Sequence, residues 1–199
     1  QDFRWTGLQG SEIHSLTIGI IGAGRIGGTS ARLFHALNAK VIAYDIKPNH
    51  ELDDVLTFLP FEEVLQQADV ICLHVDLNET SKALIDAKAL ELMKPTAYLV
   101  NECRGPVVDT TALLAALKEK RLAGAALDTM VGEETFFNFD LRGQELPNQD
   151  LIALREYNNV IITPHVGFYT NIAVQNMVDI SLDDTLAIIT GETSEHTVG

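Results

Sequence analysis

The sequence predicts an α/β fold built on a doubly wound parallel sheet. Apolar runs that are too short for helices, such as residues 16–21 and 70–75, alternate with segments of helical periodicity. Nearly continuous apolar character is typical of strands that are buried on both faces. Alternation of this kind requires right-handed crossovers between parallel strands, which place helices on both faces of the sheet.

Composition is typical of one globular domain, with 199 residues, 46% hydrophobic and 21% charged. The formal net charge of −14 opposes binding to nucleic acid or to anionic membranes, so we expect neither partner. No apolar run approaches the ~18 residues of a membrane span and no leader pattern is visible, which predicts a cytoplasmic protein. Cys72 and Cys103 lack metal or redox spacing, so we predict buried thiols and no metal site.

The individual elements follow from hydrophobic period and from stop signals. Residues 16–21 form a strand, and Ile26, Leu33, Phe34 and Leu37 recur at the spacing of a helix that starts at Arg25. Beyond the next strand, at 40–44, the same criteria predict an edge strand at 55–59, a helix at 61–67, a strand at 70–75, a helix at 84–93 ended by Pro95, a strand at 97–100, a helix at 111–120 capped by Asp109 or Thr110, a strand at 124–127, a helical patch at 151–155, a strand at 160–163 and a helix at 171–189.

A glycine motif follows the first strand at once. Gly22, Gly24 and Gly27 have the spacing G-x-G-x-x-G, in which the first makes a tight turn, the second admits a pyrophosphate and the third lets helix pack on strand. Asp45 ends the second strand 21 residues after Gly24 (45 − 24), near the ~20 expected for a ribose-binding carboxylate. The pattern predicts a Rossmann-type dinucleotide site, and a purely structural glycine turn is the alternative.

Charges around this motif favour NAD over NADP. Asp45 can accept hydrogen bonds from two ribose hydroxyls and would repel a 2′-phosphate, although Lys47 is close enough to weaken that repulsion. Arg25 stands at a helix N-terminus, where the helix dipole disfavours a cation. A bound pyrophosphate would offset that cost. The alternative, which we weigh equally, is that Arg25 is a solvated surface arginine.

Further polar residues lie at or just beyond predicted strand ends, where ligands bind in doubly wound sheets. Asp45, Arg104, Asp128 and His165 are therefore expected to converge on one crevice. Arg104 suits the clamping of a carboxylate, and pairing with Glu102 is its alternative.

His165 is a candidate proton donor to a carbonyl oxygen, with Glu133 or Glu134 as the carboxylate that fixes its ring. His74, at the end of another strand, is interpreted as a packed or capped residue, because it has no clustered metal-ligating partner.

The ordered motifs resemble the NAD-binding domain of the D-isomer-specific 2-hydroxyacid dehydrogenases. They are GAGRIG at 22–27, the N-x-x-R-G-x-x-V-D pattern at 101–109, the Asp128 and Glu133 pair, and Pro164-His165. The stretches FFNFD at 136–140 and PHVGFYT at 164–170 are similar to the D-lactate and D-2-hydroxyisocaproate branch. Met130-Val131 and Asp76 depart from residues common in relatives, which leaves substrate preference open.

The resemblance implies an NADH-dependent reductase of small 2-oxo acids that forms D-2-hydroxy acids. It implies that Arg104 anchors the substrate carboxylate, that His165 is the acid/base and that Glu133 pairs with the histidine. Asp45 and Asp128 are implied to contact the adenosine ribose and the nicotinamide carboxamide. Together with the glycine motif, this gives an expected cofactor-binding set of Gly22, Gly24, Arg25, Ile26, Gly27, Asp45 and Asp128.

The resemblance implies a substrate domain built largely from an N-terminal segment, and we expect that segment to be absent from this sequence. The sequence also starts without Met, so we expect a segment of a longer chain, homodimeric when complete. The expected organisation is a lead-in at 1–15, the NAD-binding domain at 16–168 and a helix and tail at 169–199 that return toward the substrate domain. Such a chain is expected to bind NADH but to turn over poorly. An NAD-sensing binding protein or corepressor on the same fold is the alternative.

Overall fold

A computed structural model of the protein describes residues 9–194 and 196. Residues 1–8 of the predicted lead-in, and residues 195 and 197–199 of the predicted tail, lie outside the described part. Seven strands are present in it: β1 (Thr17–Ile21), β2 (Lys40–Tyr44), β3 (Thr57–Phe58), β4 (Val70–Leu73), β5 (Tyr98–Asn101), β6 (Gly124–Leu127) and β7 (Val160–Ile162). They form one sheet in the order β3-β2-β1-β4-β5-β6-β7, and every neighbouring pair is parallel. The predicted doubly wound sheet is therefore confirmed.

Within the described part of the chain an α-helix follows each strand except β2, as the alternation predicts. They are α1 (Arg25–Ala36), α2 (Phe61–Gln67), α3 (Ala87–Leu92), α4 (Thr110–Lys118), α5 (Gln149–Arg155) and α6 (Asn171–Thr190). The chain divides into two compact units, one that ends at Pro164 and contains the sheet, and one that starts at His165 and contains α6. None of the residues of α6 is buried.

The sheet has an apolar core on each of its faces, and β1 contributes to both. Ile18 and Ile20 belong to one buried cluster and Ile21 to the other, because successive side chains of a strand point to opposite faces. Cys72 and its neighbour Leu73 divide between the two clusters in the same way. Burial on both faces explains why the strand runs are continuously apolar rather than alternating.

The helix α1 is confirmed, but three of the four apolar residues on which it was predicted do not face the sheet, whereas Phe34 is half-buried and packs against the core. Ile26, Leu33 and Leu37 are 71%, 63% and 52% exposed, whereas Gly27, Gly28 and Ala31 are buried. A Cβ atom at Gly27 would lie 1.9 Å from the carbonyl oxygen of Gly22, so the helix approaches the glycine loop too closely for a side chain there. Because α1 lies so close to the glycine loop, the face of the helix that carries small residues is the one that packs on the sheet.

The start of α3 was predicted too early. Ile85 forms an isolated parallel bridge with Val108, so the chain is extended where the periodicity predicted helix. Asp86 then caps α3, its Oδ1 accepting a hydrogen bond from the Ala89 amide at 2.8 Å. Asp109 caps α4 in the same way, which decides between the two predicted caps.

Candidate functional site

Six residues form a row across the sheet, one position past the carboxyl ends of its strands. The last residues of β2, β1, β4, β5, β6 and β7 are paired in register: Tyr44, Ile21, Leu73, Asn101, Leu127 and Ile162. The next residues, here called the carboxyl row, are Asp45, Gly22, His74, Glu102, Asp128 and Thr163. Because ligands of parallel α/β sheets bind outside this edge, the row marks the candidate site.

The glycine loop follows β1 at this row. Gly22 has φ +91°, and a Cβ atom there would lie 2.6 Å from the carbonyl oxygen of His74, so both backbone conformation and the approach of the neighbouring chain require glycine. Gly24 differs, since a Cβ atom there would meet nothing within 4 Å. It caps α1 and is exposed, so its backbone is open to a ligand at the helix N-terminus.

Asp45 joins the two loops that flank it. Its Oδ2 accepts a hydrogen bond from the Ala23 amide at 2.7 Å, and its Oδ1 accepts one from the Lys47 amide at 2.8 Å. Each carboxylate oxygen retains a further lone pair. The carboxylate is thus held in one orientation while it keeps the capacity to accept two ribose hydroxyls.

Beside Asp45 lies a cleft of 280 Å³ at the ends of β1, β2 and β4. Its lining comprises Gly22, Gly24, Tyr44, Asp45, Ile46, His74, Val75, Asp76, Asn78, Thr80, Ser81 and Leu84. The sequence motif identified three of these residues, and the polar loop after β4 supplies several of the others. That loop is ordered internally, because Asn78 Oδ1 accepts from the Thr80 amide at 2.9 Å and Ser81 Oγ donates to the Asp76 carbonyl at 2.5 Å.

A second cavity of 640 Å³ lies on the other side of Asp45, and cations line it. Arg25, Arg32 and Lys47 contribute to its wall and are exposed. Ile26, which was also expected to contact cofactor, is exposed next to Arg25. The contact of Arg25 with a pyrophosphate stays a prediction, and a solvated surface arginine stays its alternative.

Arg104 and Glu133 are carried by two turns that lie against each other. A Cβ atom at Gly105 would lie 2.2 Å from the Met130 carbonyl carbon, so the turn after Arg104 packs on the backbone before Glu133. The Met130 amide donates to Glu133 Oε2 at 2.8 Å, which holds the half-buried carboxylate. Glu134, the alternative acid, is exposed.

The guanidinium of Arg104 is exposed, and its Nη1 donates to the carbonyl oxygen of Cys103 at 2.7 Å. That contact fixes the side chain locally and leaves further guanidinium donors for a ligand, since arginine carries five. The alternative partner, Glu102, lies beside His74 instead, with 3.7 Å between its Oε1 and His74 Nε2.

His74, Glu102 and Asp128 are consecutive members of the carboxyl row. The side chain of His74 is 2% exposed, and its Nε2 lies 3.7 Å from Glu102 Oε1, beyond hydrogen-bond distance. Within the described part of the chain this Nε2 has no hydrogen-bond partner. Burial lowers the pKa of His74, while burial and the charge of Asp128 raise the pKa of Glu102. Asp128 Oδ1 accepts from Thr163 Oγ1 at 2.5 Å.

His165 belongs to the second unit. It has φ +54°, a left-handed conformation that is uncommon outside glycine, and its ring lies edge-on to Phe168 with centroids 6.2 Å apart. The expected convergence of His165 with Arg104 and Asp128 stays a prediction. Among the residues that the structure describes, no group of three His, Cys, Asp or Glu could hold a metal, and no helix has the length and apolar character of a membrane span.

Comparison with known proteins assigns this arrangement to one family. The profile of the D-isomer specific 2-hydroxyacid dehydrogenase, NAD binding domain, matches residues 1–167. A D-2-hydroxyacid dehydrogenase (NAD(+)) of Clostridioides difficile is 41% identical over 99% of this chain and 60% of its own length.

Two solved structures extend the comparison. A D-lactate dehydrogenase from Sporolactobacillus sp. is 63% identical with a TM-score of 0.94, over 100% of this chain and 60% of that one. The NAD-complexed D-isomer specific 2-hydroxyacid dehydrogenase of Lactobacillus delbrueckii ssp. bulgaricus is 42% identical with a TM-score of 0.92, over the same shares. The chain therefore spans about 60% of the length of these relatives.

Proposed function

Because the chain belongs to the D-isomer-specific 2-hydroxyacid dehydrogenase family, we propose that it is the NAD-binding part of an enzyme that reduces a small 2-oxo acid to a D-2-hydroxy acid. The observation that carries this proposal is the carboxyl row, with a glycine loop and Asp45 at one end and the Arg104 and Glu133 turns at the other. The relatives named as D-lactate dehydrogenases support pyruvate as a substrate.

The described residues fit NAD. The open backbone at Gly24 suits a pyrophosphate, and the cleft of 280 Å³ beside Asp45 suits an adenosine. Asp45 would accept the ribose hydroxyls, since its two backbone hydrogen bonds already orient it. Arg25, Ile26 and Gly27 complete the proposed cofactor loop, and Asp128 is the proposed contact of the nicotinamide carboxamide.

The substrate end of the site uses three residues. When bound, the reduced nicotinamide supplies the hydride. Arg104 would hold the substrate carboxylate through its exposed guanidinium, for which the planar fork of arginine is suited. His165 would donate a proton to the carbonyl oxygen, and Glu133, already held by the Met130 amide, would orient the histidine.

The proposal extends to the rest of the full-length protein, to its oligomeric state and to its compartment. Relatives are longer than the chain, and we propose that the missing length supplies a substrate domain toward which residues 169–199 return. We further propose a homodimer in the cytoplasm. The two buried, free cysteines agree with a reducing compartment.

A direct test is NADH oxidation by the full-length protein against a panel of 2-oxo acids that includes pyruvate and 2-oxoisocaproate. The expected result is turnover of at least one small 2-oxo acid to the D-hydroxy product. Binding of NADH without turnover of any 2-oxo acid in the panel would contradict the proposed enzymatic activity. It would favour an NAD-sensing binding protein.

Replacement of Arg104 by Lys sharpens this test. Lysine keeps the charge but loses the two-pronged contact, so the KM for the oxo acid should rise while NADH affinity stays unchanged. A collapse of NADH binding in Arg104→Lys would instead make Arg104 a cofactor-binding or structural residue.

A further inference from the structure

We propose that the carboxylate of Glu102 strengthens the binding of the oxidised cofactor to this site relative to that of the reduced one. The inference rests on the proposed function, in which NAD is the cofactor and its nicotinamide end lies at Asp128. It adds a residue with a role in the site that the motifs of the sequence do not mark.

The position of Glu102 comes from the sheet register. Asn101 and Leu127 are paired between β5 and β6, so Glu102 and Asp128 are neighbours one position past the two strands. The Asp128 amide donates to the Asn101 carbonyl at 2.9 Å, which extends the ladder to this point. The Glu102 side chain is 42% exposed, so its carboxylate is accessible beyond the strand ends rather than enclosed in the core.

The described groups that face Glu102 leave its charge largely uncompensated. On the β4 side, His74 is buried with an unpartnered Nε2, and burial lowers its pKa, so the imidazole is neutral at pH 7. The Cys72 thiol, whose pKa burial and the charge of Glu102 raise to about 12, is neutral as well. On the β6 side stands Asp128, a second carboxylate. Arg104, on the same loop as Glu102, donates to the Cys103 carbonyl.

The electrostatic interaction of two adjacent carboxylates with the nicotinamide ring differs between the two forms of the cofactor. The nicotinamide ring carries a positive charge when it is oxidised and none when it is reduced. A carboxylate close to the ring therefore stabilises NAD⁺ and leaves NADH nearly unaffected. At an effective dielectric constant of about 40, between the values for a protein surface and for water, one such charge about 6 Å from the ring changes the affinity ratio by about tenfold.

The experiment compares dissociation constants of NAD⁺ and NADH for the full-length protein and for Glu102→Gln, by calorimetry and by NADH fluorescence. The expected result is that NAD⁺ binds about tenfold more weakly to the variant while NADH affinity changes less than twofold. Glu102→Asp keeps the charge and should restore most of the preference. Glu63→Gln, which removes one exposed charge on α2, is the matched control and should leave the ratio unchanged.

The pH dependence gives a second readout. Because the pKa of Glu102 is raised, the group loses its charge earlier on acidification than an ordinary glutamate. The affinity of the parent for NAD⁺ relative to NADH should therefore decline as pH falls and approach that of Glu102→Gln. The ratio of that variant should change less over the same interval, because it retains one carboxylate of the pair.

Three other outcomes would overturn the proposal. An unchanged ratio in Glu102→Gln would show that the carboxylate does not act on the ring. Equal weakening of both cofactors would make Glu102 a structural residue. A parent that binds neither NAD⁺ nor NADH would overturn the proposed function and this inference with it.

Discussion

Two carboxylates at opposite ends of the parallel strands have opposite environments. The strands begin at what we call the amino edge of the sheet and end at its carboxyl edge. Asp69 precedes β4 at the amino edge, where its carboxylate accepts hydrogen bonds from the Thr17 amide at 2.8 Å and from Lys94 Nζ at 2.7 Å. Burial raises the pKa of Asp69, but these contacts and the Lys94 charge outweigh it, so the pKa is lowered overall. Glu102 follows β5 at the carboxyl edge, where burial and Asp128 raise its pKa.

The difference shows which polar groups serve the fold and which are left for a ligand. At the amino edge the charge of Asp69 is matched by Lys94 within the chain, and the contacts stabilise the sheet. At the carboxyl edge a buried imidazole nitrogen has no hydrogen-bond partner among the described residues, and two acids are neighbours. Local conflicts of this kind are typical of functional sites, because stability there is traded for chemistry.

The largest expected effect at the carboxyl edge concerns turnover. In the full-length enzyme, His165→Gln should lower kcat by roughly 10² to 10⁴, the usual contribution of a positioned acid. The free energy of unfolding should change little, because His165 lies outside the unit that contains the sheet. Steady-state kinetics and a denaturant titration on the same preparation measure both. A nearly normal kcat would reject His165 as the proton donor.

A pair of glycine variants separates stability from binding within one loop. Gly22→Ala should lower the free energy of unfolding by about 2 kcal/mol or more, since alanine is strained at φ +91° and its Cβ would collide with the His74 carbonyl. Gly24→Ala should change that free energy by less than about 0.5 kcal/mol, because its Cβ meets nothing. It should nevertheless weaken NADH binding about tenfold or more by obstructing the pyrophosphate. Equal stability losses in both variants would contradict this division.

Cofactor choice tests whether the Asp45 carboxylate faces the ribose. NADH should bind at least tenfold more tightly than NADPH, a difference of ~1.4 kcal/mol, because a 2′-phosphate would meet a fixed negative charge. Fluorescence titration with both cofactors measures the ratio. Equal affinities would mean that Arg25, Arg32 and Lys47, which line the adjoining cavity, compensate Asp45 fully.

The smallest expected effect belongs to the amino edge. Asp69→Asn should lower the free energy of unfolding by about 1 kcal/mol at pH 7, since the pair with Lys94 is partly exposed. Because the folded pKa of Asp69 is lowered, its contribution is present above the unfolded pKa and is lost as pH falls through the folded one. Denaturation between pH 7 and pH 2 should therefore bring parent and variant together at the acidic end. A constant gap would assign the effect to packing.

Much of the fold could be predicted because its signals are local. The bounds of α2 and β6 match the prediction, since a helical period and a short apolar run each lie between clear stop signals. The glycine loop was also recognisable, because its geometry follows from the spacing of three residues. By contrast, the buried face of α1 was not evident, because helical periodicity does not reveal how closely the helix approaches the loop.

The contacts of the site depend on register between strands that are distant in sequence. His74 and Glu102 are neighbours only because Leu73 pairs with Asn101, a relation that no motif in the sequence contains. The two amide hydrogen bonds of Asp45 likewise arise when two loops meet. For His74 the available signal was a polar residue at the end of an apolar strand. From that signal we interpreted His74 as a packed or capped residue.

The two cysteines give this edge of the sheet a built-in chemical reporter. Cys72 lies near the end of β4 and Cys103 just after β5, both buried, and burial raises the pKa of each thiol. Thiol reagents attack the thiolate, so neither group reacts while the strands remain closed. The rate of modification by a thiol reagent therefore measures how often the region around His74 and Glu102 opens, without any introduced label. Slower modification in the presence of NADH would record, at single residues, how far the cofactor holds the two strand ends together.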